Sequence, residues 1–461
     1  MTTTPIVRGS EHASLRPLLS PRSVAVVGAM QRHGSAGYET VRALHGFGFR
    51  GCLYPVNGSG RPVSGVPGYR TIADLPRPVD LLLVAVPADR VPHALREAGR
   101  RGVRCAVVLT RSPATAGPGP RREELLRIAR EHGMRLVGPN SLGVLNTDPL
   151  VLLDAGLAPV RPPAGGLAIA AQSGAVGIAL LEHAARDGCG IASFVSLGDQ
   201  LEVSANDLIG HWHTDRRVRA IALYLESYGD TTTFARLARA VTPHKPVLAV
   251  CGAEEATARD GLFTRTGVIR VAGIDDMTDA ARMFVDQPLP AGRRLGVVGN
   301  AGGLVALAAQ TARAQGFTVS GRVVDTGVEA TPRRVAEAVE SVVRGGPLDA
   351  LLLVIAGTRA NVPEAITAAV AGVVDPFARL ATAVVLTGCA DDIHHIGTRR
   401  TPVYRQPDRA IRAMAHARRY ATWRREPART LDPRWPGSWA QAHETRTGQA
   451  QGQGPRPRWV S

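Results

Sequence analysis

Apolar runs a few residues long alternate with amphipathic segments of helix length along most of the chain. The runs are apolar at nearly every position rather than at every second one, which suits strands covered on both faces. That alternation predicts an α/β protein of parallel sheets wrapped by helices. In the first third, strands are expected at Ser23–Gly28, Cys52–Val56, Leu81–Val86, Cys105–Leu109 and Arg135–Val137. The segment Asp148–Gly166 is rich in proline and glycine and reads as a linker. A second unit takes Leu167–Ala171, Ile191–Ser196, Ala220–Leu225, Val247–Val250 and Val268–Val271, and Asp286–Arg294 makes another break. The third takes Leu295–Gly299, Phe317–Val319, Leu351–Ile355 and Ala383–Thr387, and closes with a helix over Asp408–Trp423. The second and third units open alike, "LAIAAQSGAVGIALLEHAA" against "LGVVGNAGGLVALAAQTAR", as two copies of one flavodoxin-like design. Residues 426–461 are Arg, Pro, Gly, Gln and Thr with little periodicity, a basic tail expected to be disordered.

A length of 461 residues allows roughly two to four domains, each with its own core. Aromatic residues make up only 4% of the chain, so those cores must be built from Ala, Val and Leu. The net charge of +16 raises the question of nucleic acid. Lys245 is the only lysine, however, and the arginines are scattered outside the tail, a pattern of arginine bias over a solvated basic surface. Nucleic acid is therefore not the expected partner. Five cysteines without CxxC spacing read as free buried thiols of a reducing compartment. "MTTTPIVRGSEHAS" has no apolar signal-peptide core, and no run reaches the roughly eighteen apolar residues of a membrane span. A cytoplasmic protein without a membrane partner is expected.

The candidate chemistry lies in the turns that follow the strands, where open sheets present backbone N–H groups to ligands. "SVAVVGAMQRHGSAGYETVRAL" places Gly28 and Gly37 in a strand–turn–helix, but without GxGxxG spacing, so tight packing competes with a nucleotide site. "LYPVN" ends the next strand on Asn57, and "VAVP" ends a third at Val86 and Pro87. Gly138, Pro139 and Asn140 form a turn after Arg135–Val137, readable also as a simple capped turn. Gln172, Ser173 and Gly174 stand at a helix N-terminus suited to a phosphate or carboxylate, with Ser173 as a plain N-cap the alternative. Asn300, Gly302 and Gly303 repeat that arrangement, so two helix ends would converge on one anion. Glu226 ends a buried strand where active-site acids sit in such folds, unless it is a surface carboxylate. His211 and His213 are expected on a solvated helix face and His394 and His395 in a polar loop, with no metal role.

Taken in order, "SVAVVGA…G", "LYPVN", "DLLLVAVP", "GMRLVGPNSLGVLN", "AAQSGAVG", "FVSLGDQLEVSANDLIGHWHTD", "IALYLES", "HKPVLAV", "GVIRV", "GNAGG" and "TPVYRQPDRAIRAMA" resemble the NDP-forming acyl-CoA synthetases, relatives of succinyl-CoA synthetase. The resemblance implies a Rossmann-like CoA-binding domain over 12–147, then two flavodoxin-like, succinyl-CoA-synthetase-type domains over 165–286 and 292–425. By the same match, Gly28, Ala29, Gly37, Tyr54, Pro55, Val56, Asn57, Val86 and Pro87 would contact CoA, and Gly138, Pro139 and Asn140 would lie near the thioester. The helices opening at Ser173 and at Asn300–Gly303 correspond to the pair that stabilises a phosphorylated histidine, and Glu226 to the acid beside it. In that family, phosphate passes from ATP to this histidine and then to a carboxylate, and CoA displaces the resulting acyl phosphate.

The chain departs from the family where it should carry that histidine, on a Ser-His-Thr-Gly loop between strands like Val247–Val250 and Val268–Val271. Roughly a dozen residues or more are absent from "CGAEEATARDGLFTRTG", a difference on the scale of loop-length variation, and no histidine stands between His244 and His394. "TRSPATAG" at Thr110–Gly117 also departs from the family's turn near CoA, with Arg111 as a charged newcomer. No ATP-grasp sequence follows the third unit. A CoA-binding or acyl-CoA-binding member is therefore expected, unable to relay phosphate through its own histidine. The alternative is an active ADP-forming acid–CoA ligase subunit that meets ATP and Mg²⁺ only through a separate ATP-grasp subunit. Either would work in an oligomer.

Overall fold

The computed structural model describes residues 14–111, 122–227, 229–252, 260–319, 321–359, 361–389 and 392–426. A short helix α1 (Arg16–Leu19) leads into the first unit. It comprises β1 (Ser23–Val27), α2 (Ala36–Phe47), β2 (Cys52–Val56), β3 (Leu81–Val84), α3 (Val91–Arg100), β4 (Cys105–Val108), α4 (Arg122–Glu131) and β5 (Arg135–Val137). The second begins with β6 (Gly143–Asn146), β7 (Leu153–Gly156), β8 (Ala164–Ala171), α5 (Gly174–Arg186), β9 (Ile191–Ser196) and α6 (Ala205–Thr214). It continues through β10 (Ala220–Leu225), α7 (Thr231–Val241), β11 (Val247–Cys251), α8 (Asp260–Thr266), β12 (Ile269–Arg270) and α9 (Ile274–Asp286). The third runs through β13 (Leu295–Gly299), α10 (Gly302–Ala314), β14 (Val323–Asp325), α11 (Pro332–Arg344), β15 (Ala350–Ala356) and α12 (Pro363–Val374). It ends with β16 (Ala381–Thr387), β17 (His395–Ile396), β18 (Thr401–Tyr404) and α13 (Pro407–Arg425).

The three sheets are ordered β2-β1-β3-β4-β5, β12-β11-β10-β8-β9-β6-β7 and β14-β13-β15-β16-β18-β17. Each winds one way from its first parallel strand and then returns to the other side. A crevice therefore opens beyond the strand ends between β1 and β3, between β8 and β10, and between β13 and β15. This is the expected α/β architecture. The core strands are buried along their whole length by Ala, Val, Leu and Ile, which is why their runs lack alternation. Among the described residues no helix is long and apolar enough to cross a membrane.

Several expectations change. Asp148–Gly166 is not a linker: it contains β7 and the start of β8, and the antiparallel pair β6–β7 extends the second sheet through β9. Its Gly165 serves close strand approach rather than freedom, since a Cβ there would stand 2.4 Å from the Gly190 Cα. Phe317–Val319 makes only an isolated bridge at Thr318, and the strand lies further on, at β14. His395 belongs to β17 rather than a polar loop and reaches the buried Asp286 at 3.0 Å. His211 and His213 are half-buried on α6, either side of the fully buried Trp212, and burial lowers both pKa values. None of the five cysteines forms a disulfide, but only Cys105 and Cys189 are buried, and burial pushes the Cys189 thiol up to about 12. The tail expected over 426–461 lies outside the described residues beyond Glu426.

Charged pairs join the units. Between the first and second, Arg135, only 7% exposed, donates to Glu202 at 2.8 Å and to Asp207 at 2.7 Å. Burial works to raise the Asp207 pKa, but hydrogen bonds from Ser204 and Arg135 outweigh it and hold the carboxyl below its ordinary value. The stability this group contributes is thus present above its unfolded pKa and lost as pH falls through the folded one. Arg135→Met strands two carboxylates, so it should cost about 3–5 kcal/mol in denaturant melts near neutral pH. The loss should shrink toward acid pH as Asp207 protonates. An unchanged midpoint near neutral pH would refute this.

Candidate functional site

At the carboxyl edge of the first sheet, Gly28 turns the chain with φ 87°, and a Cβ there would stand 2.5 Å from the Ala85 carbonyl oxygen. A Cβ on Gly37 would stand 2.4 Å from the Gly28 carbonyl oxygen. Both glycines are therefore required by packing, which presses the amino end of α2 onto the β1 turn. Ala29, Tyr54, Pro55 and Val56 are buried and form the floor of this edge. The Asn57 amide is already engaged, donating to the carbonyls of Ala29 (3.1 Å) and Arg61 (3.0 Å) and accepting from the Ser59 hydroxyl. Val86 accepts the Thr110 hydroxyl through its carbonyl, and Pro87 is exposed. What the edge offers a ligand is the 28–35 backbone and the start of α2. There, Ser35 occupies the N-cap position, yet its hydroxyl donates to the Arg32 carbonyl and makes no cap bond. Met30, a residue the sequence pattern did not single out, is 55% exposed on the same turn.

The Gly138–Pro139 bond is cis and Asn140 has φ 62°. This turn faces the second unit: Asp199 and Leu201 donate backbone N–H groups to the carbonyls of Pro139 and Gly138. The Ser141 hydroxyl reaches the Ser196 carbonyl at 2.6 Å. Leu142 lies against Gly174, where a Cβ would stand 2.9 Å from its Cγ. The turn at 138–140 and the start of α5, two separate motifs in the sequence, are therefore brought together. Arg111 is exposed, while 112–117 of the departing turn lie outside the described residues.

In the second and third sheets one device appears twice. Gln172, at the end of β8, accepts the N–H groups of Glu226 (2.6 Å) and Ser227 (2.8 Å) and donates to the Ser227 carbonyl. Asn300, at the end of β13 and fully buried, accepts the Ala356 N–H at 2.7 Å and donates to its carbonyl at 3.0 Å. The amides clamp β8 to β10 and β13 to β15 across the crevices. These two side chains are therefore positioning groups, and an anion would meet backbone N–H groups of α5 and α10 instead. Ser173 sits at the N-cap of α5 without a side-chain cap bond, and α10 has none either. Among the described helices of ten residues or more, only these two begin with no side-chain cap, no proline and no acid in the first turn. Their positive ends are left for something outside the helix.

Val176 and Leu304, each in the first turn of its helix, pack against one shared apolar cluster, which joins the two helix starts to a common core. Glu226 is exposed beside the α5 crevice, and burial together with its charge raises the Tyr224 pKa. Asp325 was not anticipated: a Cβ on Gly302 would stand 2.5 Å from its Oδ2, so a carboxylate lies against the start of α10. The signal available was "VVD", an apolar pair ending on an acid, but at three residues β14 is too short to stand out. The connector after Cys251 is outside the described residues at 253–259.

Residues 22–147 match the CoA binding domain family, and residues 164–260 the succinyl-CoA ligase like flavodoxin domain. Over 328 residues the chain is 31% identical to the Acetate--CoA ligase [ADP-forming] I subunit alpha of Pyrococcus furiosus, covering 66% of this chain and 70% of that subunit. It is 31% identical over 314 residues to the Acetate--CoA ligase [ADP-forming] of Methanocaldococcus jannaschii, covering 64% of this chain but 44% of that protein. The dinucleotide forming acetyl-coenzyme A synthetase 1 of Ca. Korarchaeum cryptofilum superposes with a TM-score of 0.81 at 26% identity, over 89% of this chain and 98% of that one. The chain belongs to the ADP-forming acyl-CoA synthetase family, on the side of its alpha subunits.

Removing the Asn300 clamp leaves the Ala356 N–H without its partner, while the Ala356 carbonyl keeps the Asn361 amide at 3.1 Å. Asn300→Ala should therefore lower stability by about 1–3 kcal/mol, read as a shifted denaturation midpoint. An unchanged midpoint would show the clamp to be dispensable.

Proposed function

We propose that this chain is a CoA- or acyl-CoA-binding member of its family that does not relay phosphate through a histidine of its own. The observation that carries this is the absence of histidine from every residue between His244 and His394, with only seven residues separating Gly252 from Asp260. The turns that follow β8, β10 and β13 contain no histidine either. Without a nucleophile there, helix dipoles and good positioning do not replace the covalent step.

The residues present fit CoA. The uncapped start of α2 suits one of its phosphates, and the 138–140 turn stands where the first unit meets α5, so a pantetheine arm would reach the second unit there. CoA, when bound, supplies a thiol nucleophile. The chain's own groups would orient it and hold an acyl or phosphoryl anion at the N–H groups of α5 and α10, with Glu226 at the rim. Only an active member would meet ATP and Mg²⁺, and then on a separate ATP-grasp subunit within an oligomer. A second reading, an active ADP-forming acid–CoA ligase subunit, is favoured by one observation: the two uncapped helix ends and Glu226 remain in place.

Incubation with γ-labelled ATP and a candidate ATP-grasp subunit separates the readings. Acid-labile, base-stable label on this chain would mean a phosphohistidine and sink the first. CoA binding itself is tested by Ser35→Asp, because substitution at Gly28 would only damage packing. An aspartate at this N-cap should stabilise the protein by about 0.5–1 kcal/mol while competing with a phosphate for the same N–H groups. Calorimetry should then find CoA affinity reduced about tenfold. Unchanged affinity would place CoA away from α2.

A further inference from the structure

At the amino ends of β10 and β11, on the edge of the second sheet opposite Glu226, lies a cavity of about 310 Å³. The six residues of β10 separate the two edges by about 20 Å, so this cavity is distinct from the candidate site. Its walls include Arg219, His244, Lys245 and Arg424, together with Phe284 and Tyr420, and no lining residue is a carboxylate.

Contacts place these side chains at the cavity wall. The Arg219 backbone N–H donates to the Gly166 carbonyl at 2.8 Å, and its stem lies over Gly166, where a Cβ would stand 3.1 Å from its Cγ. The Arg424 guanidinium stands 5.8 Å over the Tyr420 ring. That ring is fixed by its hydroxyl on the Thr242 carbonyl, an edge contact with Phe284 at 5.5 Å and a stack on Trp423. Lys245 spends two donors on the carbonyls of Trp212 and Asp215, and burial lowers its pKa. The His244 ring lies 5.7 Å from that of His213, whose Nδ1 is buried without a partner. The Asp215 carboxylate is occupied by Arg217 at 2.9 Å. Neither Arg219 nor Arg424 forms an ion pair among the described residues. Like charges gathered in this way repel, and an anion relieves them.

We propose that this cavity binds a small organic phosphate, its phosphate between Arg219, His244 and Arg424 and its organic part on the Tyr420–Phe284 wall. The chemistry is that of a phosphate dianion, supplied free or on a nucleoside. The test titrates the full chain by calorimetry with ADP, inorganic phosphate and adenosine, in the wild type and in Arg219→Gln/Arg424→Gln. Both arginines are exposed, so the double variant should keep the wild-type melting curve, and Arg100→Gln on α3 serves as a charge control. ADP should bind more tightly than phosphate, adenosine should bind weakly, and the double variant alone should lose about tenfold or more for ADP. Equal affinities for ADP and phosphate, or ADP binding untouched by the double substitution, would overturn the proposal.

Discussion

The structure depends on the pairing of charges between α9 and α13. Helix α9 is buried along almost its whole length, although it carries Asp276, Asp279 and Arg282. The two acids are paired across the interface, while the Arg282 Nε is buried without a partner. Asp279 meets Arg409 at 2.6 Å, Asp276 meets His416 at 3.1 Å, and Arg282 donates to the His394 carbonyl. Burial raises the Asp279 pKa, while at Asp276 the His416 bond outweighs burial and holds the carboxyl low. Such pairs add little net stability over apolar residues, but a wrong register would leave charges buried and unpaired. They therefore fix how the second and third units meet. Because α5 packs on α9 and α10 on α13, this register also sets the relative placement of the two uncapped helix ends.

The same molecule caps its helices carefully elsewhere. Ser204 and Asp207 form a capping box on α6, Asp230 caps α7 with two backbone bonds, and Thr331 caps α11. Against that background, leaving α5 and α10 open forgoes stability that a side chain would readily supply. The open ends are held from below by Gln172 and Asn300, whose amides tie β8 to β10 and β13 to β15. Polar groups that look like ligands in the sequence thus act as the frame, and what the two helix ends offer is backbone N–H groups that any residue could provide. Preorganised donors of this kind suit an anion whose charge changes during a reaction. They suit equally a protein that only binds such an anion, so the presence or absence of a nucleophile decides between catalysis and binding.

Much of this was legible beforehand. The uninterrupted apolar runs located most strands of all three sheets, because a strand buried on both faces must be apolar throughout. The family motifs located the turns that form the candidate site. What failed were segments whose composition misleads: Asp148–Gly166 looked like a linker because close strand approach and flexibility both select glycine. His395 looked solvated because its partner, Asp286, is 109 residues away. Asp325 went unseen for the same reason, since only the pairing of β14 with β13 carries it to Gly302.

By itself, then, the chain determined the element types, the order of the three units, the positions of the strand-end turns and the lack of a histidine in the connector after β11. These are properties of local pattern, and local pattern is written in consecutive residues. Tertiary structure alone decided that Gln172 and Asn300 are clamps, that the 138–140 turn lies beside α5, and that Arg219 and Arg424 share a cavity without a carboxylate. Those facts depend on contacts between residues far apart in sequence, where direction and burial, rather than residue type, set what a side chain does.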